Sequence, residues 1–306
     1  MSKWQRSYTI TIQGRSGRVY TLTDPLTCVL DIDLRATSSV NPAHFQLLNL
    51  SPQVLADLEY DSAIDTDGKG QLVQRPVVFN AGYVSEGVQP VVFQGDVTRA
   101  FNYRDGTDVV TDIACVSGLT AMQKALVQRA RAAPWTPQSE VEAIVATMNP
   151  YGVTLGAVGG LFAGYAPTRG VNWIGSSWDC VRRFANGHGG DAFIHLNKVY
   201  VMGPNDALNV PSAVPQLDAT TGLLGTPRRA GWNVDARMMF EPRVQLLQQI
   251  RLLSSVSPSL NGTYVVWGIS HRGIISGARD GGAETSLFLQ QNTIPGVKAG
   301  VLVTPP

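Results

Sequence analysis

The sequence has little of what most enzymatic chemistry requires. In 306 residues there are three cysteines and four histidines. Cys28, Cys115 and Cys180 stand far apart and form no Cys-x-x-Cys pair, which excludes a disulfide scaffold and a zinc ribbon. They read as buried free thiols of a protein made in a reducing cytoplasm. Charge of one sign is also lacking. The 24 basic side chains nearly cancel the 23 acidic ones, so no overall field recruits nucleic acid or an anionic membrane. The start, "MSKWQRSYTI", has no apolar segment and no small-residue cleavage site, so no secretory signal is expected. The apolar stretch Val153 to Ala166 is about 14 residues long where a membrane span needs about 20, and it reads as a buried, glycine-softened segment.

Signatures of catalysis are missing in the same way. "GSSWD" at Gly175 has Asp179 where a hydrolase elbow has its second glycine, and Ser176 reads as a helix cap. "GAVGGLFAG" lacks the dinucleotide pattern, and no Gly-Lys-Ser/Thr phosphate loop occurs. "DSAIDTDGKG" lacks the terminal glutamate of a calcium loop. The one constellation worth weighing is "HGGDAFIH", where His188, Asp191 and His195 are residue types that bind zinc or iron, although the spacing matches no familiar motif. A metal-dependent hydrolase built on these three is the alternative reading. The expectation is no enzyme, no cofactor, and no catalytic or metal-binding residue. The six tryptophans, Trp4, Trp135, Trp173, Trp178, Trp232 and Trp267, are spread along the chain as core and interface anchors.

What the chain does have is alternation. "SYTITI", "RVYTL" and "TCVLDIDLRA" alternate, with Cys28, Leu30, Ile32 and Leu34 on one face. "PAHFQLLNLSPQVLADL" predicts a short helix interrupted or restarted at Ser51-Pro52. At Gly118 the texture changes: Leu119, Met122, Leu126 and Ala130 recur at helical spacing. Thr136 and Pro137 open a second helix, and "SSWDCVRRFANG" a third with Gly187 at its end. "AFIHL-NK-VYVM" reads as a hairpin beneath that helix. After a Pro/Asn-rich linker, "GWNVDARMMF", "VQLLQQIRLLS", "GTYVVWGISHRG" and "ETSLFLQQ" read as strands.

One pattern returns. "VVFQGDVTRAFNYRDG" at Val91 is echoed by "VVWGISHRGIISGARDG" at Val265, each with Arg-Asp-Gly at a hairpin turn. Asp33-Leu34-Arg35, Pro42 and Gln46-Leu47-Leu48 are echoed in the same order by Asp235-Ala236-Arg237, Pro242 and Gln245-Leu246-Leu247. The expected architecture is therefore mixed and β-rich (α+β), with two similar antiparallel β-barrel domains and an α/β module inserted between them. The expected boundaries are 1–116 for the first barrel, 117–208 for the module, 209–291 for the second barrel and 292–306 for a C-terminal extension.

Three stretches, "VFQGDVTRAFNYRDGTDVVTDIACVSG", "TRGVNWIGSSWDCVRRFANGHGGDAFIHLNKVYVM" and "TGLLGTPRR…MMFEPRVQLLQQIRLLS…LNGTYVVWGISHRG", carry a likeness. Through them the chain resembles the baseplate hub proteins of contractile-tailed bacteriophages. The resemblance implies two barrels related to the tail-tube fold in each subunit, and a homotrimer whose six barrels adapt a hexameric tail tube to a trimeric central spike. It implies as partners the tail tube protein, the spike, the tape-measure protein and other baseplate proteins. Phage DNA would pass through the lumen without specific binding. It places the protein in the virion tail, made in the host cytoplasm, with no membrane span. The family carries no catalytic residues onto this chain; the alternative remains a tail-associated hydrolase using His188, Asp191 and His195.

Overall fold

The computed structural model describes residues 5–37, 39–63, 73–160, 165, 167–208, 215–277, 279, 281–291 and 302–303. The N-terminal part forms β1 (Arg6–Gln13), β2 (Val19–Thr23), β3 (Cys28–Arg35), β4 (Pro42–Leu48), α1 (Pro52–Leu58), β5 (Tyr60–Asp61), β6 (Pro76–Tyr83), β7 (Val91–Asp105) and β8 (Asp108–Val116). Alternation sets the inward faces as expected: Tyr8, Ile10 and Ile12 on β1, and Cys28, Leu30, Ile32 and Leu34 on β3, are buried. The expected helix from Pro42 is only half present. Residues 42–48 are strand β4, with Ala43, Phe45 and Leu47 buried at every second place, and only α1 is helical. Two partners decide this, because β4 is paired by β3 on one side and β8 on the other. The first Arg-Asp-Gly closes a tight hairpin: Asp105 pairs with Asp108, and Gly106 takes a left-handed φ of 59°.

The middle of the chain forms α2 (Leu119–Lys124), β9 (Leu126–Arg131), α3 (Pro137–Val145), β10 (Thr154–Val158), β11 (Val171–Ser176), α4 (Ser177–Gly187), β12 (Asp191–His195) and β13 (Lys198–Met202). The helix expected to run through Ala130 stops at Ala125, which is extended (φ −73°, ψ 122°), and β9 pairs antiparallel with β11. Strand spacing brings Arg129 and Arg131 to the same buried carboxylate of Glu140, at 3.4 and 2.8 Å, and a helix would have turned them apart. Thr136 caps α3 reciprocally with Ser139, and the Ser176 hydroxyl accepts from Asp179 N on α4. The left-handed glycine after α4 is Gly189 (φ 77°), two places beyond Gly187. The hairpin β12–β13 turns through Leu196 and Asn197, both left-handed. These elements enclose their own core around Val141, Ile144, Met148, Trp178, Val181, Ile194 and Val199. The Val153 stretch begins as β10, parallel to β13, and no helix among the described residues is long and apolar enough to cross a membrane.

The last part forms β14 (Ala207–Leu208), β15 (Gln216–Leu217), β16 (Leu223–Ala230), β17 (Asn233–Met239), β18 (Gln249–Leu252), β19 (Gly262–Ile275), β20 (Ala283–Gln291) and β21 (Leu302–Val303). The main sheet runs β16-β17-β20-β19-β3-β4-β8-β7-β6-β1-β2, with β5, β15 and β18 attached beside it. It does not close on itself among the described residues. Beneath it lies one core to which both ends of the chain contribute: Phe45, Phe79 and Phe93 belong to the same cluster as Phe240, Ile269 and Leu287. The middle segment adds Phe193, Tyr200 and Met202 to that core. It is also tied on by buried hydrogen bonds, Asn41 Nδ2 to the Ile194 carbonyl (2.9 Å) and Thr120 N to the Asp96 carboxylate (2.9 Å).

The long hairpins β7–β8 and β19–β20 hold matching places. β8 lies between β7 and β4, and β20 between β19 and β17. Against its hairpin partner each long strand carries one bulge, at Thr98 in β7 and at Trp267 in β19, and β7 slips once more against β6 at Val92. The bulges set the alignment, and it differs from the sequence echoes. Val97-Thr98 matches Val266-Trp267, so Val91-Val92-Phe93 and Val265-Val266-Trp267 are five residues out of step. Asp33–Arg35 lies on β3, whereas Asp235–Arg237 lies on β17, the counterpart of β4. Of the second Arg-Asp-Gly, Asp280 lies outside the described residues.

Gly95 allows β7 to cross close to the end of β8: a Cβ there would stand 2.5 Å from the Val116 carbonyl oxygen and 2.9 Å from Ser117 Cα. Both are backbone atoms that cannot swing aside. Gly95→Ala is expected to lower stability by about 1–3 kcal/mol in denaturant titration. Gly187→Ala, which meets nothing within 4 Å, should leave the midpoint unchanged or raise it.

Candidate functional site

The surface feature that stands out is the joint between the two hairpin systems and the polar face around it. β19 pairs antiparallel with β3 from Gly268–Arg35 to Ile275–Cys28, eight residue pairs. On the inner face Leu30, Ile32 and Leu34 meet Ile269, His271 and Ile275, all buried. On the outer face Arg272 Nε donates to the Asp31 carboxylate across the joint at 2.9 Å, and Arg35 lies 3.2 Å from Asp33 on its own strand. The Thr27 and Ser276 hydroxyls bond at 2.7 Å where the joint ends. An open groove of about 920 Å³ runs over this face, lined by Asp33, Arg35, Arg228, Asp235, Arg237 and Arg272 among others. Further along, His44 Nε2 lies 2.6 Å from Asp112 Oδ1.

The hairpin tips also meet. Arg279, from the loop after β19, pairs with Asp108, the first residue of β8, and Asn49 Nδ2 donates to the same carboxylate at 2.8 Å. These two contacts, Asn49 first, hold the Asp108 carboxyl below the usual range. Asp108 was not singled out from the sequence. Its signal was weak, a second aspartate just past an Asp-Gly turn.

The run β16-β17-β20-β19-β3-β4-β8-β7 has an open edge at each end, although the first half of β7 carries the sheet on through β6 and β1 to β2. Among the described residues β16 pairs only with β17, and Phe101–Asp105 of β7 pairs only with β8. Both edges expose large side chains: Phe101 (36%) and Tyr103 (39%) on one, Leu224 (37%) on the other, with Trp232 (60%) at the turn after β16. Phe101 and Tyr103 stack with centroids 5.8 Å apart, and Arg99 lies over Phe101 at 5.0 Å.

The candidate metal residues are not brought together. His188, just past α4, donates from Nδ1 to the Phe184 carbonyl (2.8 Å) and packs edge-on to Tyr165. A carbonyl only accepts, so the proton sits on Nδ1. Asp191 and His195 do share strand β12, but four residues of strand separate them by about 13 Å. His195 is buried, and burial pushes its pKa down to about 4. Among the described residues no group of three His, Cys, Asp or Glu side chains is placed to hold a metal ion. The loop 61–70 lies mostly outside the described residues. The three cysteines are free and buried, and burial raises the Cys28 and Cys115 thiols far above the ordinary range, which makes them unreactive.

The family model for the baseplate hub gp41 matches residues 7–272. The chain belongs to that family. The 43 kDa tail protein of prophage MuSo2 from Shewanella oneidensis shares the fold at 8% identity, with a TM-score of 0.58 over 93% of this chain and 98% of that one. A tail protein of Neisseria meningitidis MC58 gives a TM-score of 0.56 at 9% identity over 93% of this chain and 96% of that one. The Escherichia coli c3393 protein, a component of the type VI secretion system, gives 0.53 at 8% identity over 97% and 79%. No curated protein sequence matches the chain. As a member of the baseplate hub family, the chain is a structural phage tail protein.

Two measurements test what holds the fold, the first at the β3–β19 joint. Exposed ion pairs contribute little and buried aliphatics much, so Ile32→Ala is expected to cost about 2–5 kcal/mol and Arg272→Ala less than about 1 kcal/mol by chemical denaturation. The second concerns pH. His195 and His271 are buried neutral, and burial lowers their pKa values to about 4 and about 3. Their stabilisation is full above the unfolded value near 6.5. It falls with pH below that because the unfolded chain takes up protons the native state refuses, with a slope of about 1.4 kcal/mol per pH unit per histidine. Between pH 6.5 and 5, His195→Leu should remove about half of that slope.

Proposed function

We propose that this hub protein forms a ring of three copies in a phage tail baseplate, adapting a sixfold tail tube to a threefold central spike and channelling DNA and the tape-measure protein. In this reading residues 1–116 and 209–291 are two related tube-like barrel units, and 117–208 is a module set between them. The tail tube, spike, tape measure and other baseplate proteins are its neighbours, and the virion tail is its location.

The observation that carries the reading is the β3–β19 joint. It sets two hairpin systems with matching bulges side by side in one sheet, each offering the same strand order across its width. Two such units in one chain supply two quasi-equivalent positions, so three chains supply six, which is what a sixfold neighbour requires. Closed rings are built from heterologous contacts whose rotation closes.

Electron microscopy of assembled tails, with native mass measurement of the hub released from them, tests the reading. Three copies arranged as six lobes around a channel are expected. Six copies per ring, or one, would overturn it.

A further inference from the structure

The in-chain joint is a template for a contact that a single chain leaves open. Starting from the residue after each bulge, cross-strand pairing traces two parallel rows. In the first hairpin system the row is Arg99–Ala114–His44–Asp31, and in the second it is Gly268–Phe288–Asp235–Arg228. Arg228 of β16 therefore holds the place that Asp31 of β3 holds. Likewise Tyr103 is the fifth residue after the bulge at Thr98, as Arg272 is the fifth after Trp267. In the in-chain joint Arg272 lies opposite Asp31. The counterpart residues, Tyr103 and Arg228, both lie on edges without a partner among the described residues, at opposite ends of the same run of strands.

We propose that β7 of one copy pairs antiparallel with β16 of a second copy of this chain, with Tyr103 opposite Arg228, Asn102 opposite Arg229 and Phe101 opposite Ala230. The inference rests on the ring reading and adds to it the strands, the register and the chemistry of the joint. That chemistry is complementary. Phe101 and Tyr103 present a stacked aromatic pair, and on the same face β16 presents the exposed guanidinium of Arg228, with Arg229 turned to the other face. An arginine over an aromatic face is attractive, most of all once water is excluded. The contact replaces the in-chain ion pair of Arg272 with Asp31 by an arginine–aromatic pair at the same place, with the cation moved to the other strand. β5 covers β7 at Arg99 and Ala100, and α1 lies against it with Asn102 Nδ2 donating to the Leu55 carbonyl at 3.1 Å, so the stretch of β7 without a strand partner on that side is Phe101–Asp105, shorter than the eight pairs of the in-chain joint. Pro227 and the register slip between Leu224 and Arg228 interrupt β16 on the far side of Arg228. Such features discourage indiscriminate edge pairing and leave a short, specified register.

Cysteine pairs introduced into the full chain read the register directly, because the native thiols are buried. Tyr103→Cys combined with Arg228→Cys is expected to form disulfides between chains on mild oxidation, both in purified protein at high concentration and in tails made with the variant. Products of two and three chain masses should appear on a non-reducing gel. The combination Phe101→Cys with Arg228→Cys is two residues out of register, beyond disulfide reach, and should cross-link at least about tenfold less. Asp31→Cys with Arg272→Cys, which closes within one chain, checks that the sheet is folded. Three-copy assemblies without the 103–228 cross-link would overturn this joint and leave the ring reading standing. A hub that is single-copy in solution and in tails, with no cross-link, would overturn both.

Discussion

The rest of the structure depends on the pairing of β3 with β19. Arg272 and Asp31, which bond across it, are 241 residues apart in sequence. Joining strands from near the two ends of the chain makes one sheet and one core of what the local patterns present as two separate β-rich regions. The middle segment must then leave from β8, lie against the sheet and return in time for β16. Asn41, Asp96 and Gln74 make its docking hydrogen bonds from the N-terminal strands, and Gln290 reaches Pro204 from β20. Contacts of such long separation form late and slowly, because loop closure is costly before they return anything. The joint is correspondingly built from side chains that are favourable without fine geometry: an aliphatic row beneath, and ion pairs exposed to water above.

Much of this was legible as period-two alternation. β1, β3, β17 and β20 carry it along most of their length, and the β-rich class follows from them. Where the sequence misled, a neighbour decided. Pro42–Leu48 alternates as well as any strand, but its leucines and the helix after Ser51 disguise it. Leu126–Arg131 has helical spacing and only one buried residue, Val127, yet the buried carboxylate of Glu140 draws two arginines two residues apart, and only a strand delivers them. The joint itself has no local signal, since nothing in Cys28–Arg35 names its partner.

The repeat was legible in kind and not in register. Matching short words placed the two hairpins in correspondence, but the physical markers are the bulges at Thr98 and Trp267, which share no residue type. A bulge is a feature of strand pairing and not of any one residue type, so it marks the same place in both hairpins although the turns beyond differ in length. The same reasoning explains the failure of the metal reading. His188, Asp191 and His195 are close in sequence and spaced as ligands can be, but an extended strand separates its own residues faster than any other conformation, so nearness in sequence there works against convergence.

An exposed edge with apolar and aromatic side chains is a hazard to a lone sheet protein, since it pairs with whatever strand it meets. The open edges of β16 and of the second half of β7 are not blunted alike. β16 carries arginines, a proline and a register slip; β7 is partly covered by β5. Each device shortens the open edge without closing it. If the edges existed only to be protected, longer covers would cost nothing, and the aromatic pair Phe101–Tyr103 would not sit stacked and half-exposed on the one stretch left open. A short edge with strong local complementarity gives a joint weaker than the in-chain one and dependent on register. That ordering suits a protein made singly and assembled later: the strong joint folds the chain, and the weaker one waits for neighbours to hold copies in place.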